Sequence, residues 1–137
     1  MTKSNGKNLQ DKVLTSFISN FTPEAEVLYA RYPSHLTAQQ KDQVNLPDVI
    51  IHDTRRGVIL FVDLITSRGA ITEERRQALK ILASNLNFEV VYVTAFSSRD
   101  EFTEYADVVA WETEVWIAET PKHMIHFNGD RFLGPRK

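Results

Sequence analysis

Leu46-Pro47-Asp48-Val49-Ile50-Ile51-His52-Asp53-Thr54-Arg55-Arg56-Gly57-Val58-Ile59-Leu60-Phe61-Val62-Asp63-Leu64 is the stretch that decides how this chain of 137 residues folds. From Val58 to Leu64 every position is apolar except Asp63, the pattern of a strand buried on both faces. An unpaired charge inside such a strand costs several kcal/mol, so an aspartate is tolerated where the strand ends and opens on a polar site. Val49-Ile50-Ile51-His52 is a second strand-like run, and Asp53-Thr54-Arg55-Arg56-Gly57 supplies the turn between the two. Folding the runs back on each other brings Asp48 and Asp63 to one end of a hairpin. Two carboxylates held close repel unless a cation or a proton intervenes, so removing either should relieve strain in the metal-free protein. With ligands that are all oxygen, Mg²⁺ is the natural cation.

Size and composition fit one domain with a substantial core, preceded by a loose, flexible segment over residues 1–8. Hydrophobic residues make up 42% and charged residues 25%, ordinary for a globular protein. No apolar stretch reaches membrane length, and the polar start Met1 to Lys7 has no signal-like apolar core. Cysteine is absent, which removes disulfides and thiolate metal sites and fits a cytoplasmic protein without a membrane partner. The net charge of −2 argues against a dedicated nucleic-acid coat. Charge is uneven, however: residues 51–100 hold seven Lys/Arg against six Asp/Glu, and residues 101–137 hold four against seven. Arg55-Arg56, Arg68 and Arg75-Arg76 all flank the acids in sequence. They read either as a solvated face or as a surface turned to an anion.

Working outward, Leu9, Val13, Leu14, Phe17 and Ile18 recur at helical spacing. Glu26 to Ala30 fits a strand better than a helix opened by Thr22-Pro23. Residues 36–44 read as a polar helix or an ordered connection. Thr72 caps a helix with Glu73 and Glu74 in its first turn and an apolar stripe of Leu79, Leu82, Ala83 and Leu86. Glu89 to Phe96 is another buried strand, and Ser98-Arg99-Asp100-Glu101 is a capping box opening a helix to about Ala106. Val108 to Ala118 gives one or two further strands around Trp111 and Trp116, both expected in the core, with Glu112 and Glu114 on one exposed strand face. Asn128-Gly129 reads as a hairpin turn between His126-Phe127 and Arg131-Phe132. An antiparallel hairpin followed by strand–helix–strand alternation predicts an α/β fold, a mixed sheet with helices on its faces.

Each candidate residue has a plainer reading beside the chemical one. Asp48, after a proline, is also suited to capping a turn, and Asp63 to pairing with Arg68 or Arg75. His123 and His126 are spaced for a metal, but without a nearby acid motif they fit better as packing residues of a hairpin. Arg55-Arg56 at a turn is solvated or touches a phosphate.

Longer words sharpen the pattern. Leu46-Pro47-Asp48-Val49-Ile50, Asp63-Leu64-Ile65-Thr66-Ser67-Arg68-Gly69 and Tyr92-Val93-Thr94-Ala95-Phe96 occur in that order. Ala110-Trp111-Glu112-Thr113-Glu114-Val115-Trp116-Ile117-Ala118 follows, then the segment from His123 to Arg136. Over residues 20–137 these closely resemble the C-terminal catalytic region of the BsuBI/PstI restriction endonuclease family, within the PD-(D/E)XK nucleases. The resemblance implies a PD-(D/E)XK core and a type II endonuclease that cuts double-stranded DNA with Mg²⁺ and leaves 5′-phosphates. It also implies a homodimer matched to a palindromic site. Asp48 corresponds to the first metal-binding aspartate, and Asp63 stands where the family has glutamate. The Leu64 backbone carbonyl is the expected third metal ligand.

The superfamily's lysine, two positions after the acid, is Ile65 here. The family's stand-in Lys-Arg pair falls on Glu74-Arg75, leaving Arg75, and after it Arg68, to steady the phosphate. Arg55, Arg56 and Arg68 are the expected DNA contacts. Family enzymes carry an N-terminal region that helps read DNA, most of which is missing here. Three readings follow: a nuclease, a catalytically degenerate DNA- or protein-binding module, or a nuclease subunit whose recognition part is a separate polypeptide.

Overall fold

A computed structural model describes residues 2–32 and 46–129. A helical segment opens the chain: α1 (Thr2–Lys12), a π-helical stretch (Val13–Phe17) and α2 (Ile18–Phe21). Then come β1 (Ala25–Ala30), β2 (Val49–Asp53), β3 (Val58–Leu64), α3 (Glu73–Ala83), β4 (Glu89–Phe96), α4 (Arg99–Tyr105), β5 (Thr113–Ile117) and β6 (Met124–Phe127). The strands form one sheet in the order β1-β2-β3-β4-β5-β6. The pairs β1/β2, β2/β3 and β5/β6 are antiparallel, and β3/β4 and β4/β5 are parallel. This is the mixed sheet that the hairpin and the later alternation predict.

Strand alternation assigns side chains to the two faces. Leu60, Val62 and Leu64 of β3 meet Leu9, Val13 and Phe17 of the N-terminal helices, together with Val93, Ala95 and Trp116. Phe17 packs edge-on against Trp116 at 5.5 Å between ring centroids. Ile59 and Phe61 face the other way, against Ile71 and Leu79 beneath α3, and Phe102 of α4 packs on that side against Phe96. Asp63 follows the parity of Ile59 and Phe61 and so points to the α3 side.

Several expectations are corrected. Residues 2–8, read as a flexible lead-in, belong to α1. Gly6 lies against the Tyr32 ring so closely that any Cβ would clash. The buried Gln10 amide bonds both backbone groups of Tyr32, donating to its carbonyl at 2.6 Å and accepting its N–H at 2.8 Å. Those contacts fix the helix to the end of β1, and nothing local in the sequence announces them.

Trp111, expected in the core, is 65% exposed. It lies in a turn rather than a strand, held by the Ala110 N–H to the Ile71 carbonyl and by Glu112 at φ +65°. Val108–Ala118 therefore contains one strand, and Glu112 and Glu114 do not share a strand face. α3 ends at Ala83, which leaves Leu86 beyond the helix and exposed. Residues 36–44 and the second arm of the Asn128-Gly129 turn lie outside the described residues. His126 is on β6, where it pairs with Glu114 of β5, and His123 is exposed in the turn before it.

Candidate active site

The register of the hairpin builds the site. Val49 pairs with Val62, so Asp48 and Asp63 flank that pair at one end of the sheet, with the Asp48 N–H donating to Asp63 Oδ1 at 3.3 Å. Both are buried, at 1% and 0% exposure.

Asp48 organises the loop that leaves β3. Its Oδ2 accepts the backbone N–H groups of Leu64 at 2.8 Å and Arg68 at 3.3 Å, and its Oδ1 accepts the Ser67 hydroxyl at 2.9 Å. The Leu64 carbonyl accepts N–H groups from Ser67, Arg68 and Gly69 at 2.9, 3.0 and 3.2 Å. Gly69, at φ +88°, adopts the left-handed geometry that lets the chain reverse there. The Leu64 carbonyl thus closes the turn. The same carbonyl is the expected third metal ligand, and here it is shared among three backbone donors.

Asp63 is held from the helix. Thr72 caps α3, its hydroxyl oxygen accepting the Arg75 N–H at 3.2 Å. Arg75 then reaches back as a fork: Nε donates to Asp63 Oδ2 at 2.7 Å and Nη2 to Oδ1 at 3.2 Å. Nη2 also donates to the Leu46 carbonyl at 3.2 Å. Of the two plainer readings for Asp63, pairing with Arg75 is the one realised. Removing Asp63 would therefore relieve its repulsion with Asp48 but also take away the carboxylate onto which Arg75, only 15% exposed, is forked.

Two more arginines approach Asp48 Oδ1, Arg31 Nε at 3.8 Å and Arg68 Nε at 3.9 Å. Arg31 and Ser67 escaped the sequence reading. Arg31 arrives because β1 runs antiparallel to β2, with Ala30 opposite Val49 and the Arg31 N–H donating to the Asp48 carbonyl at 2.8 Å. Only knowledge of that strand pairing would have revealed it. Burial pushes the Asp48 carboxyl above its ordinary range; the Leu64 N–H opposes this, the Asp63 charge adds to it, and Ser67 and Arg31 pull back.

Arg55 and Arg56 are not brought to the acids. They occupy the turn at the other end of the hairpin, roughly 17 Å of strand away at about 3.3 Å per residue. Arg56 Nη1 donates to Asp53 Oδ2 and to the Phe21 carbonyl, both at 2.9 Å, so its guanidinium closes that turn. Arg55 and Arg56, the expected DNA contacts that flank the acids in sequence, are thus set apart from them in space by the length of the hairpin.

Among the described residues no group of three or more His, Cys, Asp or Glu gathers as a metal cluster. The donor set nonetheless fits a hard cation. Magnesium keeps several of its waters and is commonly held by one or two carboxylates. A carboxylate offers about four lone-pair sites, and Asp48 and Asp63 each accept three hydrogen bonds from described groups. Among the described residues, that leaves the fewest bonds on Asp48 Oδ1 and Asp63 Oδ2, one each.

Three comparisons place the chain among known proteins. The family model described as the BsuBI/PstI restriction endonuclease domain matches residues 1–130. The chain is 42% identical over 90 residues to the type II restriction enzyme BsuBI of Bacillus subtilis, covering 66% of this chain and 28% of that protein. It is 34% identical over 93 residues to the type II restriction enzyme AplI of Arthrospira platensis, covering 68% and 29%. Among solved structures, that of the SdaI restriction endonuclease superposes with a TM-score of 0.77 at 29% identity, over 95% of this chain and 45% of the other. The chain spans under a third of the length of these curated relatives.

Proposed function

The chain belongs to the BsuBI/PstI restriction endonuclease family, and from that premise we propose that it hydrolyses phosphodiester bonds in double-stranded DNA as a type II restriction-type endonuclease. Its mixed six-stranded sheet with helices on both faces is the PD-(D/E)XK restriction-endonuclease-like core. The observation that carries the proposal is the meeting of Asp48, just before β2, and Asp63, in β3, two buried carboxylates at an end of the sheet surrounded by arginines.

In this reading Asp48 and Asp63 hold Mg²⁺. A divalent cation there supplies charge neutralisation at the scissile phosphate and makes water nucleophilic near neutral pH. Asp48 fixes its own orientation by capping the loop after β3, where Leu64, Ser67 and Arg68 hold its carboxylate in place. Arg68 and Arg31, both partly exposed, attract the DNA backbone to this end of the sheet. Arg75 steadies the phosphate as charge develops, as a planar cation that can fork onto its oxygens. The products are 5′-phosphate ends. A two-fold homodimer suits a palindromic site, a separate polypeptide can supply recognition, and the working place is the cytoplasm, where the DNA is. Among the described residues no helix is long and apolar enough to cross a membrane.

One observation favours a second reading, a module that binds DNA or a protein without cutting. Ile65 occupies the lysine position, and the Asp63 carboxylate is neutralised by Arg75. Incubating the purified chain with varied duplexes in Mg²⁺, Mn²⁺ or chelator separates the two. Cleavage that needs the metal and disappears in Asp48→Asn supports the nuclease. Binding with no cleavage under any metal supports the module.

A further inference from the structure

Building on that reading of the acid pair, we propose that Arg75 is a latch: it occupies Asp63 until a DNA phosphate draws it away, so that cation binding at the acids and phosphate binding by Arg75 promote each other. The charge inventory points this way. Among the described residues, Asp48 and Asp63 contribute −2, and the ion-paired guanidiniums of Arg31, Arg68 and Arg75 contribute +3, a sum of +1. A divalent cation arriving alone would raise that sum to +3 beside two carboxylates that water barely reaches, where repulsion is poorly screened.

The three arginines are not equivalent. Arg31 and Arg68 stand at 3.8 and 3.9 Å from Asp48, beyond hydrogen-bond length, and both reach solvent. Arg75 is the one that forks onto a carboxylate, with bonds of 2.7 and 3.2 Å to the two oxygens of Asp63. Among the described groups, it is therefore the cation that competes directly for Asp63.

A guanidinium fork matches phosphate as well as it matches carboxylate. Arg75 can thus exchange partners at little cost to itself. Its backbone stays fixed in the first turn of α3 by the Thr72 cap, and only the side chain need turn. No covalent bond changes: the Arg75–Asp63 pair becomes an Arg75–phosphate pair and a cation–Asp63 pair. A phosphate group brings −1, so the cluster carries +2 with both ligands present instead of +3 with the cation alone. Each ligand thereby removes an obstacle to the other, and linkage makes the effect reciprocal.

The test is binding of Mn²⁺ alone, followed by the paramagnetic resonance of the free ion, to the whole chain without DNA. Wild type, Arg75→Gln, Arg75→Lys and the double variant Arg75→Gln/Asp48→Asn are compared, with circular dichroism confirming that each is folded. Arg75→Gln should bind Mn²⁺ tighter than wild type by roughly 5- to 150-fold, the usual span of such couplings, and adding Asp48→Asn should remove the gain. Arg75→Lys, charged but unable to fork, should lie between; if the glutamine variant does not fold, the lysine variant decides alone. Equal, Asp48-dependent affinity in wild type and the Arg75 variants would leave the metal site standing and refute the latch. No Asp48-dependent Mn²⁺ binding in any of them would remove the metal site, and the latch with it.

Discussion

The β2–β3 hairpin ends in a buried aspartate and an arginine at both extremities, yet the two ends are built for different ends. At the turn, Asp53 accepts the N–H groups of Arg55 and Arg56 and pairs with the Arg56 guanidinium, whose side chain is 62% exposed. One acid, one turn and one solvated partner make a self-contained cap. At the other end a second carboxylate, Asp63, stands against the first, and guanidiniums from three separate segments gather around the pair. A lone buried aspartate is explained by the turn it closes. A facing pair exceeds what turn closure requires, and that surplus is the mark of a site.

Cleavage should separate the two ends most sharply. Asp63→Asn, which keeps an acceptor for Arg75, should slow DNA cleavage by more than about 100-fold, since even groups that merely support metal ligands can matter that much. Asp53→Asn should cut at close to the wild-type rate in the same plasmid-nicking assay. Loss of cleavage in both would show the activity to depend on the hairpin as a whole and erase the distinction.

Stability comes next. Asp63→Ala leaves Arg75 buried without its carboxylate and should cost about 3–5 kcal/mol. Asp53→Ala breaks a pair with a solvated arginine, so the loss is mainly that of the backbone bonds, about 1–3 kcal/mol. Urea denaturation of the metal-free proteins measures both, and a reversed order would refute the account of Asp63 as the more tightly held acid.

DNA binding offers a finer division. Each lost phosphate contact lowers the log–log salt slope by about 0.9 for duplex DNA. Arg31→Gln should show such a drop, whereas Arg55→Gln should leave the slope unchanged. A drop on Arg55→Gln would extend the DNA surface along the whole hairpin.

The smallest effect is on pH dependence. Folding raises the Asp48 carboxyl above its ordinary value of 3.8, so the folded state binds this proton more tightly than the unfolded one. Its contribution is fully present below 3.8 and is lost as pH rises through the higher folded value. The loss cannot exceed about 1.4 kcal/mol per pH unit, one proton's worth. Asp48→Asn should lack this decline, seen as a flatter stability curve just above pH 3.8 in acid titrations of the metal-free protein.

What the sequence disclosed and what it hid follow from the range of the forces involved. The hairpin, the Thr72 cap and the Ser98 cap are legible because continuous apolar runs, turn residues and capping side chains act within a few residues. Even there the detail differs: Glu101 of the capping box bonds the Ser97 N–H. Arg31 was hidden because it meets Asp48 only through the β1–β2 pairing, across segments far apart in the chain. Trp111 was misplaced because an aromatic residue in an apolar stretch looks like core, and a positive φ at the next residue leaves no local trace. Arg55 and Arg56 lie near the acids in sequence, a closeness that a straight strand converts into spatial separation. Asp63 was narrowed to two arginines, and the cap that starts α3 selects Arg75 between them.

The strand order of the sheet repeats the order of the chain, and this has a kinetic consequence. Each strand meets its predecessor in sequence, so the sheet can assemble by successive, comparatively short loop closures. The N-terminal helices are the exception, because Phe17 rests on Trp116, 99 positions later. As the chain leaves the ribosome these helices have no complete surface to dock on until β5 has emerged. Folding should therefore close from the middle outward, with the N-terminal helices among the last elements to be secured. Pulsed hydrogen exchange during refolding would then protect β2 to β4 before α1, an ordering that the helix propensity of the first residues does nothing to suggest.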